Sequence, residues 1–146
     1  MGKVEFHHGI QDKMGYACRL LRKAYRAGAQ VVVTGDAGAL RQLDKQLWLF
    51  DDQEFLPHAL GDGPSVPARL QASPIWLTTD PASAPGERGI LINIGVDMPS
   101  GMDRYERLFD LVSSEPDDRQ AGRQRWKAYA GMGWDVRPHE VQDEAR

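Results

Sequence analysis

This sequence predicts an α/β fold: a single-domain three-layer sandwich with a mostly parallel β-sheet flanked by helices. Three observations lead there. Strand-like and helix-like segments alternate along the chain, the pattern that layers helices over a sheet. The run Val31-Val32-Val33 is β-branched without alternation, as in a strand covered on both faces. The opening segments read strand, helix, strand, the crossover unit that parallel pairing requires.

The elements follow in order. Lys3 to His8 reads as a strand with Val4 and Phe6 on one face, closed early by His8 and Gly9. From Gln11 to Ala27, Met14, Ala17, Cys18, Leu21, Ala24 and Tyr25 recur at helical spacing. Arg19, Arg22, Lys23 and Arg26 fall on the other side, and Gly28 stops the helix. Gln30 to Thr34 is the second strand. Gly35-Asp36 turns the chain into a helix from Ala37 to Leu49 with Leu40, Leu43 and Leu47 inward. Phe50 to Ala72 holds Pro57, Gly61, Gly63, Pro64 and Pro67, so it reads as a long connection with one short strand around Phe55. Pro74 to Thr78 and Gly89 to Asn93 are two central strands separated by a turn-rich stretch. Tyr105 to Val112 fits strand or helix, and strand is favoured. Ser114 is the expected cap of a helix that begins at Pro116, has Asp117 and Asp118 in its first turn, and runs to about Ala130. A last short strand includes Trp134 and Val136. One domain is expected over residues 1–138, with a polar, flexible tail over 139–146.

Bulk numbers agree with one globular domain. The chain has 146 residues, 41% hydrophobic and 27% charged. No apolar run approaches the ~20 residues of a membrane helix, and no signal-peptide core follows Met1, so a cytoplasmic protein without a membrane partner is expected. Cys18 stands alone and cannot form an internal disulfide. The formal charge of −3 argues against nucleic-acid capture by the overall field; any basic surface must be local.

The places where the fold would put catalytic or cofactor motifs carry none of the familiar patterns. Gly35-Asp36-Ala37-Gly38-Ala39-Leu40, at the turn where an α/β protein would hold a nucleotide, lacks both the dinucleotide fingerprint and the Gly-Lys-Ser/Thr of a phosphate loop. His7, His8, His58 and His139 do not stand at metal-ligand spacings, and His7 and His8 point to opposite faces of a strand. Cys18 lies on an apolar helix stripe, where a thiol is inert. No cofactor, metal or catalytic residue is expected.

Two surface constellations stand out. Arg119, Arg123, Arg125 and Lys127 crowd one helix of an acidic protein. Arg119, Arg123 and either Trp126 or Lys127 lie one turn apart, so cations and an aromatic plane share a face. That face suits an acidic peptide with an apolar end; a solvated helix with Trp126 in the core is the plainer alternative, and single-stranded nucleic acid uses the same chemistry. The second constellation is Trp48, turned about 80° from the Leu40 axis at ~100° per residue, with Phe55 a few residues on. Together they make either an exposed aromatic patch for a protein partner or a cap on the sheet's edge.

The stretches Leu43-Asp44-Lys45-Gln46-Leu47-Trp48, Phe55-Leu56-Pro57-His58-Ala59-Leu60 and Arg123-Gln124-Arg125-Trp126-Lys127-Ala128-Tyr129 resemble, in order and spacing, the chi subunit of bacterial DNA polymerase III. The resemblance covers nearly the whole chain. It implies an α/β fold without catalytic activity and an adaptor role in DNA replication. One partner would be the psi subunit, which leads to the clamp loader. The other would be the acidic, phenylalanine-ended C-terminal tail of single-stranded-DNA-binding protein, so that single-stranded DNA is engaged indirectly. By motif position Trp48 and Phe55 correspond to the psi-binding face, where a helicase-like partner is the alternative occupant. Val112, Arg119, Arg123, Trp126 and Lys127 correspond to the tail pocket. Trp126 stands where the family pattern has Tyr, which keeps the aromatic plane and loses a phenolic hydrogen bond. The rival functions are direct single-stranded nucleic-acid binding and a nucleotide-using enzyme.

Overall fold

A computed structural model describes residues 2–50, 55–61, 72–86 and 88–141. Its strands are β1 (Lys3–Ile10), β2 (Val31–Thr34), β3 (His58–Leu60), β4 (Ile75–Leu77), β5 (Ile90–Asn93), β6 (Arg107–Ser113) and β7 (Asp135–Glu140). Its α-helices among the described residues are α1 (Lys13–Arg26), α2 (Ala37–Leu49) and α3 (Pro116–Gly131), with 3-10 turns at Pro81–Ser83 and Met102–Arg104. The strands form one seven-stranded sheet in the order β3-β4-β2-β5-β6-β1-β7, and every pairing is parallel. The sheet is therefore wholly parallel, where the sequence suggested mostly parallel.

Two apolar clusters flank it. Cys18, Leu21, Leu40, Leu43 and Leu47 of α1 and α2 pack on Val31, Val33, Ile75 and Leu77. On the other side Val4, Val32, Trp76, Leu91 and Leu108 meet Tyr129 of α3 and Trp134. This makes the three layers, and β2 is buried at every position because both faces are covered.

Local chemistry sets the helix ends. The Asp12 carboxylate accepts from Gly15 N at 3.1 Å and that of Asp36 from Ala39 N at 3.1 Å, each capping a helix start. Gly28, at φ 77°, ends α1 as expected: it and Ala29 donate back to Tyr25 O and Ala24 O.

Four boundaries differ from the sequence reading. β1 does not stop at His8; it passes Gly9, at φ 75°, through a register shift against β6 and continues to Ile10. The short strand expected around Phe55 begins instead at His58. Ser114 does not cap α3. Glu115 holds the cap position without a side-chain bond, and Asp118 accepts from Ser113 N at 2.7 Å, tying the preceding strand to the first turn. Finally, β7 runs through Pro138 to Glu140, paired to His8 of β1, two residues beyond residue 138, where the sequence reading ended the domain; Pro138 is tolerated because β7 is an edge strand.

Candidate protein-docking surfaces

The α3 helix carries almost no apolar stripe. What faces the sheet is Asp118, Gly122, Arg125 and Tyr129, spaced by four, three and four residues. Gly122 lets the helix approach closely: a Cβ there would stand 2.9 and 3.1 Å from the Val112 methyl carbons. Arg125, one of the four cations that made this segment stand out, is 2% exposed and spent inward. It donates from Nε and a terminal nitrogen to Asp110 of β6, at 2.9 and 2.8 Å, and from the other nitrogen to Val96 O at 2.7 Å. Tyr129 OH donates to the same carboxylate at 2.5 Å. Burial opposes the guanidinium charge, but the hydrogen bonds and charge of Asp110 outweigh it and hold Arg125 above its ordinary value. Burial and the same carboxylate push the Tyr129 phenol strongly up, so it stays a donor.

With Arg125 turned in, the outer face is left to Arg119, Arg123 and Lys127, all exposed, one helical turn apart. Trp126 is half-buried and settles the choice between core and surface as both: its ring stands edge-on to Phe6 of β1, centroids 4.9 Å apart at 79°, and its remainder reaches solvent beside the cations. Val112 is 2% exposed beneath Gly122, so it supports the helix from below and adds no outer surface. Lys13 of α1 bonds Asp118 at 3.0 Å and joins the two helix starts. Burial opposes ionisation of Asp118, but the Ser113 N–H and the Lys13 ammonium hold its carboxyl below the usual value.

At the other end of the sheet the structure brings Trp48 and Phe55 together. Their ring centroids are 5.2 Å apart and they are 58% and 55% exposed, so neither caps the core. His58, at the start of β3, lies under both, 4.9 Å from Trp48 and 6.3 Å from Phe55. Its Nδ1 donates to Leu56 O at 2.7 Å, and its Nε2 lies 3.1 Å from Asp44 Oδ1, off the line of a well-aligned hydrogen bond. Asp44 and Trp48 are four residues apart on α2 and share a helix face.

The remaining candidates behave as plain structure. The Asp36 carboxylate occupies the α2 N-terminus, where a phosphate would otherwise sit, and Gly35 and Gly95 approach so closely that a Cβ on Gly95 would stand 2.9 Å from Gly35 Cα. Among the described residues no three His, Cys, Asp or Glu side chains converge as a metal site, and no helix is long and apolar enough to cross a membrane. Burial pushes the Cys18 thiol up to about 11. His7 accepts or donates at Nδ1 to Tyr16 OH at 2.5 Å and stacks near His139; burial and that second imidazole push its pKa down to about 4.

Sequence reasoning missed the Asp110–Arg125–Tyr129 network because its stripe is polar, although its spacing was helical. It missed the Asp44–His58 contact because that joins separate elements.

Fold and surfaces together define a parallel α/β domain whose distinctive side chains lie on two outer faces and not in a cleft. The family described as DNA polymerase III chi subunit, HolC, matches residues 1–137. Curated relatives agree. The chain is 31% identical over 131 residues to the DNA polymerase III subunit chi of Pseudomonas aeruginosa, covering 88% of this chain and 87% of that protein. It is 28% identical over 128 residues to the subunit of the same name from Haemophilus influenzae, covering 86% and 85%. With that of Escherichia coli it shares 26% over 130 residues, covering 88% and 85%. The chain belongs to the DNA polymerase III chi family, and its role is that of an accessory subunit in DNA replication.

Proposed function

We propose that the chain is a non-catalytic adaptor that docks two proteins at once in the cytoplasm. In this reading α3 captures the acidic, phenylalanine-ended tail of single-stranded-DNA-binding protein, and the Trp48–Phe55 face holds psi and through it the clamp loader. The observation that carries it is the division of labour on α3: Arg125 neutralises Asp110 inside, while Arg119, Arg123 and Lys127 stay exposed around the free part of Trp126. Exposed guanidiniums suit carboxylates, and the indole supplies an apolar surface for a terminal ring.

The layout supports simultaneous binding. Strand β3 lies five strand spacings from β1, about 24 Å at ~4.8 Å per step, and the two faces belong to opposite helical layers. A partner on one need not displace a partner on the other.

The test is a calorimetric titration of the purified protein with a peptide ending in the acidic, Phe-terminated tail. Binding should be modest, weaken as salt rises, and fall about tenfold or more in Arg123→Ala, as expected for loss of a charge-assisted contact. No measurable binding, or an Arg123→Ala affinity equal to wild type, sinks the assignment.

A further inference from the structure

We propose that Asp44 and His58 form a clamp that fixes Trp48 and Phe55 as one rigid docking surface. They are positioning residues, acting through the two aromatics and not by touching the partner. The inference rests on the reading that this face binds psi.

Trp48 projects from α2 and Phe55 from the segment before β3, so nothing in the helix or the strand alone sets the distance between them. Both rings are more than half exposed, and exposed rings of this kind are free to turn unless something beneath holds them. The imidazole of His58 is that support. Its side chain is 1% exposed, it sits against the edge of Trp48 at 61° between planes, and it touches Phe55 on the other side. One nitrogen is fixed to Leu56 O within its own segment, next to the buried Leu56 side chain; the other faces Asp44 on α2. Asp44 is one turn before Trp48, so the carboxylate that meets His58 leaves the helix on the same face as the indole. The ring therefore links α2 to the β3 segment at the one place where both aromatics emerge.

The consequence for binding is preorganisation. An interface that must order two free aromatic side chains loses affinity to that ordering, whereas one that meets them already paired does not. Taking the usual cost for two such side chains, loss of the clamp should weaken partner binding about tenfold.

The experiment uses the full chain with Asp44→Asn, His58→Leu and, as reference, Trp48→Ala. Three readings are taken on each: affinity for purified psi, affinity for the acidic Phe-ended tail peptide, and the proton NOE between the Trp48 and Phe55 rings. The expected result is a loss of the inter-ring NOE and a roughly tenfold weaker psi complex in Asp44→Asn and His58→Leu, with the tail peptide bound as in wild type. The unchanged peptide affinity reports an intact fold at the far end of the sheet. Should His58→Leu fail to fold, Asp44→Asn carries the test, because Asp44 is 30% exposed and asparagine keeps its size and an oxygen facing the buried His58 Nε2 while removing the charge. If Trp48→Ala binds psi normally, the docking reading fails while the NOE still decides the clamp. Persistence of the NOE and of wild-type psi affinity in Asp44→Asn and His58→Leu overturns the proposal.

Discussion

Replacing Arg125 with alanine tests what holds α3 on the sheet. Asp110 is fully buried, and Arg125 supplies two of its hydrogen bonds, at 2.8 and 2.9 Å. Among the described residues, alanine leaves the buried carboxylate with Tyr129 OH at 2.5 Å and a long contact from Asn93 at 3.5 Å. Breaking one side of a buried, hydrogen-bonded ion pair costs about 3–5 kcal/mol, much of it the desolvation of the charge left behind. Against a domain stability of about 5–15 kcal/mol, that brings Arg125→Ala near the edge of folding. In urea, with a slope of about 2 kcal/mol per M, the midpoint should fall by about 2 M. The triple change Asp110→Leu, Arg125→Met, Tyr129→Phe removes both charges and the phenol together, and should recover most of that loss because no buried charge is stranded and the Asn93 amide keeps Asp97 O at 3.4 Å. Urea melts followed by far-UV circular dichroism give both numbers. The reasoning is refuted if Arg125→Ala shifts stability by less than about 1 kcal/mol, or if the triple variant is no better than the single one.

Two further outcomes follow from buried groups. His7 is 6% exposed and its pKa is pushed from 6.5 to about 4, so the unfolded chain takes up its proton first as pH falls. Stability should therefore be full above pH 6.5 and decline toward pH 4, by at most about 3 kcal/mol. Urea melts at pH 4.5 to 6.5 in His7→Gln should show a flatter slope than wild type; an identical slope rules the idea out. This window stays clear of Asp118, whose lowered carboxyl contributes stability above pH 3.8 that is lost only at lower pH. On α3, Gly122→Ala and Gly131→Ala should move stability in opposite directions. A Cβ at Gly122 meets Val112 at 2.9 Å and Phe6 at 3.2 Å, so alanine should cost about 1–2 kcal/mol despite its better helix propensity. At Gly131 nothing lies within 4 Å, and alanine should gain up to about 1 kcal/mol. Thermal melts separate the two, and a stabilising Gly122→Ala would contradict the close approach.

The sheet and its helices were legible because the signals were local. Leu40, Leu43 and Leu47 face the core from a helix whose bounds, Ala37 and Leu49, match the periodicity. The unbroken Val31-Val32-Val33 run marks a strand buried on both faces. What was not legible depended on distant partners. β1 runs past Gly9 because β6 and β7 offer ladders on both sides of it, and Pro138 sits in a strand because that strand is at the edge. Ser114 looked like a cap by residue type, but Asp118 on Ser113 N and Lys13 already fixes the chain's entry into α3, so the expected side-chain cap is not used.

The candidate site shows how charge counted along a sequence misleads until burial assigns it. The segment carries four cations, of which helical spacing put Arg119, Arg123 and Lys127 on one face and left the place of Arg125 open. It is the one that does not belong: its position, seven residues after Asp118 and four before Tyr129, puts it on the inner stripe with Gly122. Besides the pair with Asp110, α3 is held to the sheet by Tyr129 in the apolar cluster, by Trp126 against Phe6 and by Asp118 on Ser113 N. A bidentate Arg125–Asp110 pair has one register, and that register fixes where Arg119, Arg123, Trp126 and Lys127 stand. The polar core of this helix thus sets the geometry of its polar surface.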